Sequence, residues 1–233
     1  MATRNNETEF VQVGWWVPGS LKPGWNARFQ ANFNDMSMKF NQLDVKALVS
    51  GGGHNGGLGF YFSMAEFDFI QLLTFGQLDN ESAVNDSYKM VTYAVWMAAQ
   101  GWAHFSPIPI SRYKGIEDDK LEPLTFDPQK SDVSPLGWYF TGSFSEKWNN
   151  DIQGNYEKAL AKRSELGIRN LSPLYFCQST LYGCVQMVQS DNPSAVESYA
   201  SWFSKEGFGS LRPIPFMDIS MLKNAIAISH KTP

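Results

Sequence analysis

Gly51-Gly52-Gly53-His54-Asn55-Gly56 is the first segment whose residue types could do chemistry. It formally matches G-x-G-x-x-G, the glycine turn that carries a dinucleotide pyrophosphate to a helix N-terminus. That use needs a helix to begin at the last glycine. The chain continues instead as Leu58-Gly59-Phe60-Tyr61-Phe62, a strand-like run, and it lacks the Lys and Ser/Thr of a P-loop. The spacing therefore predicts a glycine-rich hairpin loop. A function for this loop and for His54 would be contact with a partner or ligand, not phosphate cradling.

The remaining reactive residues are scattered. His54, His104 and His230 have no G-x-S-x-G or H-E-x-x-H beside them, and a catalytic histidine needs a positioned partner. Glu117-Asp118-Asp119 could hold Mg²⁺ or do acid–base work, but it reads as a hydrated linker run. Glu66 and Asp68 stand where an expected helix begins, which suits the helix dipole. Cys177 and Cys184 are seven residues apart, a spacing that suggests one packed helical face; there is no C-x-x-C pair and no zinc pattern. No catalytic residue, metal site or cofactor is expected.

The stronger signal is repetition. Gly14 to Phe33 (GWWVPGSLKPGWNARFQANF) matches Gly137 to Tyr156 (GWYFTGSFSEKWNNDIQGNY) at an offset of 123. Tyr93 to Ile110 matches Tyr199 to Phe216 at an offset of 106, each block carrying Pro-Ile-Pro. The matched polar and aromatic residues Trp15/Trp138, Trp25/Trp148, Asn26/Asn149 and Gln30/Gln153, together with the unmatched His54, are the candidate binding residues. Recurrent tryptophans can stack single-stranded bases. They can equally fill a core, with the amides hydrogen-bonded to backbone. The second reading is preferred, because repeated residues most often maintain a repeated fold.

These residues need elements to hold them. Val11 to Val17 reads as a strand ended by Pro18-Gly19. Trp25, Phe29, Phe33, Met36, Phe40 and Leu43 then recur at helical spacing, and the matching segment Tyr156 to Leu166 consists of strong helix formers before Gly167. Two apolar runs, Asp44 to Ser50 and Leu58 to Met64, flank the glycine loop as a hairpin. Ala65 to Phe75 and Ser179 to Gln189 read as short helices, and Tyr93 to Trp102 and Tyr199 to Phe208 as helix or strand. The expected fold is α+β, an internal duplication of a strand–helix–hairpin–helix unit in two similar halves related by a pseudo-twofold axis. Residues 1–9 form a flexible arm, 10–115 the first copy, 116–132 a linker and 133–233 the second copy.

Bulk composition narrows the function. Charged residues are 18% of the chain and aromatic residues 15%, fewer and more, respectively, than in an average soluble domain. Such a balance suits burial against other chains. A net charge of −4 gives no general reason to bind nucleic acid or an anionic membrane. Lys158, Lys162 and Arg163 form a local basic patch, read as a solvated helix face. No apolar run is long enough to span a bilayer, and the polar N-terminus carries no signal peptide, so a cytoplasmic location is expected. The expectation is a non-enzymatic structural or binding protein that self-associates or sits among other subunits, as a virion or phage component does. The alternative is a single-stranded nucleic-acid-binding protein.

Overall fold

In the computed structural model the described residues are 10–21, 29–48, 60–63, 68–75, 83–101, 103–105, 107–116, 121–122, 137–177 and 183–218. The expected arm 1–9, Trp25, Asn26, the Gly51–Gly57 loop with His54, His230 and most of the 116–132 linker lie outside them. In chain order the elements are β1 (Phe10–Leu21), α1 (Phe29–Leu43), β2 (Val45–Ala47), β3 (Phe60–Ser63), β4 (Asp68–Phe75), α2 (Ala83–Ala99), β5 (Ala103–Phe105), β6 (Ile108–Tyr113), β7 (Gly137–Phe144), α3 (Glu146–Asn150), α4 (Ile152–Glu165), β8 (Arg169–Asn170), β9 (Tyr175–Cys177), β10 (Gly183–Gln189), α5 (Pro193–Lys205) and β11 (Gly209–Asp218). The class is α+β.

The chain divides into two compact units. The C-terminal unit comprises Met1–Val13, Pro109–Leu124 and Gly137–Pro215; the N-terminal unit comprises Gly14–Ile108, Thr125–Leu136 and Phe216–Pro233.

In the C-terminal unit the strands run in the order β11-β7-β10-β9-β6-β1, with β8 also paired to β10. The sequence β7–helix–β9–β10–α5–β11 is a β-α-β-β-α-β or split-βαβ unit. Local signals punctuate it. Ser145 caps α3, its hydroxyl accepting from the Trp148 amide at 3.3 Å. Asp151 breaks α3 from α4 and caps the latter, Oδ1 accepting from the Gly154 amide at 3.0 Å. Gly167, at φ 67°, ends that helix in the left-handed region that glycine enters without a Cβ penalty. Asn192 caps α5, with Pro193 in its first turn. Between sheet and helices lies an aromatic core: Trp148 stacks on Phe144 at 4.6 Å and meets Phe203 at 5.1 Å and Phe208 at 5.4 Å. The β7–β11 pair is so close that a Cβ on Gly142 would overlap the Ser210 carbonyl, and one on Gly209 the Ser143 carbonyl.

In the N-terminal unit β1 lies between β5 and β4, with Gly19 opposite both Phe105 and Phe69. The other edge of β4 pairs with β3 (Tyr61↔Ile70) and β2 (Lys46↔Thr74), and β3 pairs in turn with the end of β11 (Phe216↔Ser63). Met36 and Phe40 of α1 and Met90, Tyr93 and Met97 of α2 are buried, with Phe40 and Tyr93 edge to face at 5.3 Å.

Two expectations about elements are corrected. Ala65–Phe75 and Ser179–Gln189 were expected as helices, but their described parts are the strands β4 and β10. Both are short apolar runs with strand neighbours on two sides, which periodicity alone does not separate from a buried helix. The described parts of the runs flanking the glycine loop, β2 and β3, pair with β4 rather than with each other. A strand–helix–hairpin–helix order thus gives way to strand–helix–strand–strand–helix–strand.

Candidate site: a buried arginine in an aromatic cavity

Arg163 lies on α4, near its C-terminal end. The expectation of a solvated basic face holds for its neighbours but not for Arg163, which is 2% exposed. The helical period explains the difference. Tyr156, Ala159 and Arg163 share the stripe that faces the sheet, all buried, whereas Lys158 and Lys162 point away from it. Lys162 instead makes an exposed pair with Glu165 at 2.7 Å.

A guanidinium carries a fixed charge and five N–H donors. One of Arg163's donors is met: Nη1 donates to Gln186 Oε1, on β10. Gln186 is itself buried, and its Nε2 donates to the Ser172 carbonyl at 3.2 Å. Ser172 closes this ladder, its hydroxyl accepting from the Met187 amide at 2.9 Å. The guanidinium sits near the Tyr156 and Tyr199 rings, 5.5 and 5.6 Å from their centroids, which attracts a cation modestly. No carboxylate among the described residues pairs with it, and Nε and Nη2 have no hydrogen-bond partner.

Arg163 lines a cavity in the C-terminal unit together with Phe144, Trp148, Tyr156, Ala159 and Gln186, among others. The space admits about one water molecule. A third unpartnered donor belongs to the same lining, Trp148 Nε1. Cys184 also lines it; burial pushes its thiol far above the ordinary cysteine range, with a smaller push from the Cys177 thiolate. That makes it a packing residue and a poor nucleophile. Cys177 and Cys184 stand on the paired strands β9 and β10, not on a helical face, and both are free and buried. Cys177 is opposite Gly183, so Cys184, one residue on, projects to the other side of the sheet.

In the N-terminal unit the end of α1 carries different residues. Asp44 and Gly167, both at positive φ, follow α1 and α4. Counting back four and eight residues from each gives Phe40 and Met36 in one unit, Arg163 and Ala159 in the other. All four are buried. Where one unit has two bulky apolar side chains, the other has a methyl group and a charge.

The residues singled out from sequence are placed as follows. Trp138 (5% exposed) and Trp148 (1%) are both in the core of the C-terminal unit. Trp15, on β1, is half-buried. Asn149 is half-buried, its backbone N–H donating to the Ser145 carbonyl at 3.2 Å. Gln153 is exposed and reaches Glu157 at 3.4 Å. Gln30 is on α1, with its side chain outside the described set, as are Trp25, Asn26 and His54 entirely. The amide that serves backbone is Asn155: its Nδ2 donates to the Lys147 carbonyl at 3.0 Å. Among the described residues no group of three or more His, Cys, Asp or Glu could hold a metal ion, and no helix is long and apolar enough to cross a membrane. Arg163 was missed as a site residue. Arg163 lies beyond the block matched at offset 123, which ends at Tyr156; only that offset carried seven residues further sets it against Phe40.

No family model matches the chain, and no curated protein matches it. Among solved structures, a protein described as a novel heme-binding protein from Thermus thermophilus matches with 11% identity and a TM-score of 0.44, over 94% of this chain and 96% of that one. A protein named "putative monooxygenase", from Lactobacillus acidophilus, matches with 10% identity and a TM-score of 0.47, over 88% of this chain and 94% of that one. Each is a likeness over most of the chain and names no family for it. The expectation of a virion structural component, or of a single-strand binder, is corrected. Neither similar protein is named as such, and the composition that suggested it has an internal use. The aromatic residues pack on one another within the C-terminal core, and Trp138 and Trp148 offer no open face for a base.

Proposed function

We propose that this chain is a small-molecule-binding protein made of two copies of one β-α-β-β-α-β unit, with its ligand site in the Arg163 cavity. The observation that carries this reading is the exchange of Met36 and Phe40 for Ala159 and Arg163: one unit buries two bulky apolar side chains there, the other has a small residue and a charge lining a cavity. The duplication has further support. Trp15↔Leu73, Val17↔Gln71 and Gly19↔Phe69 in one unit correspond to Trp138↔Val188, Phe140↔Gln186 and Gly142↔Cys184 in the other, by constant offsets of 123 and 115. Gly101 and Gly207 share a left-handed conformation at φ 70° and 72°. A heme, named for one of the similar structures, does not fit this cavity, which offers no histidine and room for about one water.

Trp148 lines the cavity and is a built-in reporter. A panel of neutral, cationic and anionic small molecules, read by tryptophan fluorescence and thermal shift, tests the proposal. The expected result is a saturable response from at least one class, abolished by Ala159→Met, which fills the hole with the other unit's side chain. A panel with no response, or one equal in the variant, refutes it.

A further inference from the structure

Resting on the cavity as the ligand site, we infer that its ligand is a monovalent anion about the size of a water molecule, a halide or a single small carboxylate. The polarity of the lining argues for this. Its three buried atoms without partners, Arg163 Nε, Arg163 Nη2 and Trp148 Nε1, are all donors. The amide nearest the guanidinium is committed on both ends, Oε1 to Arg163 and Nε2 to the Ser172 carbonyl. A water in the cavity could accept from two of the three donors and would bring two further hydrogens needing acceptors. A monovalent anion accepts from all three and needs none in return. It also supplies the countercharge that no described carboxylate provides to a side chain 2% exposed, and an uncompensated buried charge is costly. Size and valence narrow the class. One water's volume admits chloride, bromide or formate but not sulfate or phosphate, and a second negative charge would remain unneutralised in this apolar surround. The Phe40 unit, with no charge at the equivalent position, gives no such site.

The test uses the full chain dialysed into sulfate buffer, with ionic strength held constant as chloride, bromide, formate, acetate or benzoate replaces sulfate. The expected result is a saturable rise in Tm of at least about 3 °C, with quenching of tryptophan emission by bromide. Both effects should be lost in Arg163→Met and, should that variant not fold, in Ala159→Met. Halide and formate responses mark a free anion of the size the cavity admits and support the inference; acetate and benzoate responses without halide mark a ligand larger than the cavity holds and overturn it. A Tm insensitive to every anion, or equally sensitive in both variants, overturns it. Should neutral molecules alone bind, and Ala159→Met abolish that binding, the anion inference falls while the small-molecule site stands.

Discussion

Replacing Arg163 by methionine should make the anion-free protein more stable. In the structure two guanidinium nitrogens have no hydrogen-bond partner, and leaving a buried polar atom unpaired costs about 1–3 kcal/mol. Removing both recovers about 4 kcal/mol. Against this, the substitution leaves Gln186 Oε1 without its donor, about 2 kcal/mol, and loses two ring contacts, about 1 kcal/mol each. Those terms offset. What remains is desolvation of an uncompensated charge, worth several kcal/mol after relaxation. A methionine of similar length fills the same stripe without it. The net expectation is stabilisation by about 2 kcal/mol, or roughly 4–8 °C in Tm for a chain of this size. The assay is urea and thermal unfolding of both proteins in sulfate buffer, repeated with chloride. Chloride should narrow the gap by stabilising only the parent protein. A variant destabilised by about 2 kcal/mol or more in sulfate would show that the arginine is a net structural contributor, and the reasoning would fail.

Gly142→Ala should cost about 3 kcal/mol in urea unfolding, because the new methyl overlaps the Ser210 carbonyl and reaches Leu211 Cα at 3.1 Å. Trp148→Ala should cost about 3–5 kcal/mol and flatten the near-ultraviolet circular dichroism, since the indole is fully buried against Phe144, Phe203 and Phe208. Asp44→Gly should stabilise by about 0.5–1 kcal/mol, since Asp44 sits at φ 54° where glycine is unstrained. Burial raises the Cys177 thiol to about 11 from 9.0. The unfolded chain therefore ionises this thiol first, and stability present below about pH 9 should fall as pH rises toward about 11, by at most about 1.4 kcal/mol per pH unit. Iodoacetamide should correspondingly label neither cysteine at about pH 8 unless urea is added.

The helix α4 was legible because strong formers lead to a glycine stop at Gly167, and α1 because its apolar residues recur at helical spacing and align with that segment. The strands β4 and β10 were not. DFIQLLTF and GCVQMVQ carry apolar residues at both odd and even positions, and so lose the alternation that identifies a half-buried strand; in β10 both faces are indeed buried. The β2–β3 hairpin failed for a different reason: adjacency in sequence suggested a pairing that β4, which takes both as neighbours, supplies instead. The candidate site was hidden by charge counting. Arg163 in a stretch with Lys158 and Lys162 looks solvated until the helical stripe is traced from Tyr156 through Ala159.

The pairing of β11 with β3 reaches into the kinetics of folding. Phe216 pairs with Ser63, and Asp218 with Tyr61. β1, among the first segments made, has β6 as a neighbour. Loop closure over such separations precedes any reward from the contacts, so non-local pairing slows a chain's acquisition of structure. On a ribosome the exposed flank of β3 would wait through most of synthesis for its partner. An unpaired strand edge recruits other chains, so this protein should refold in milliseconds to seconds and be most prone to aggregate while its last strand is still missing.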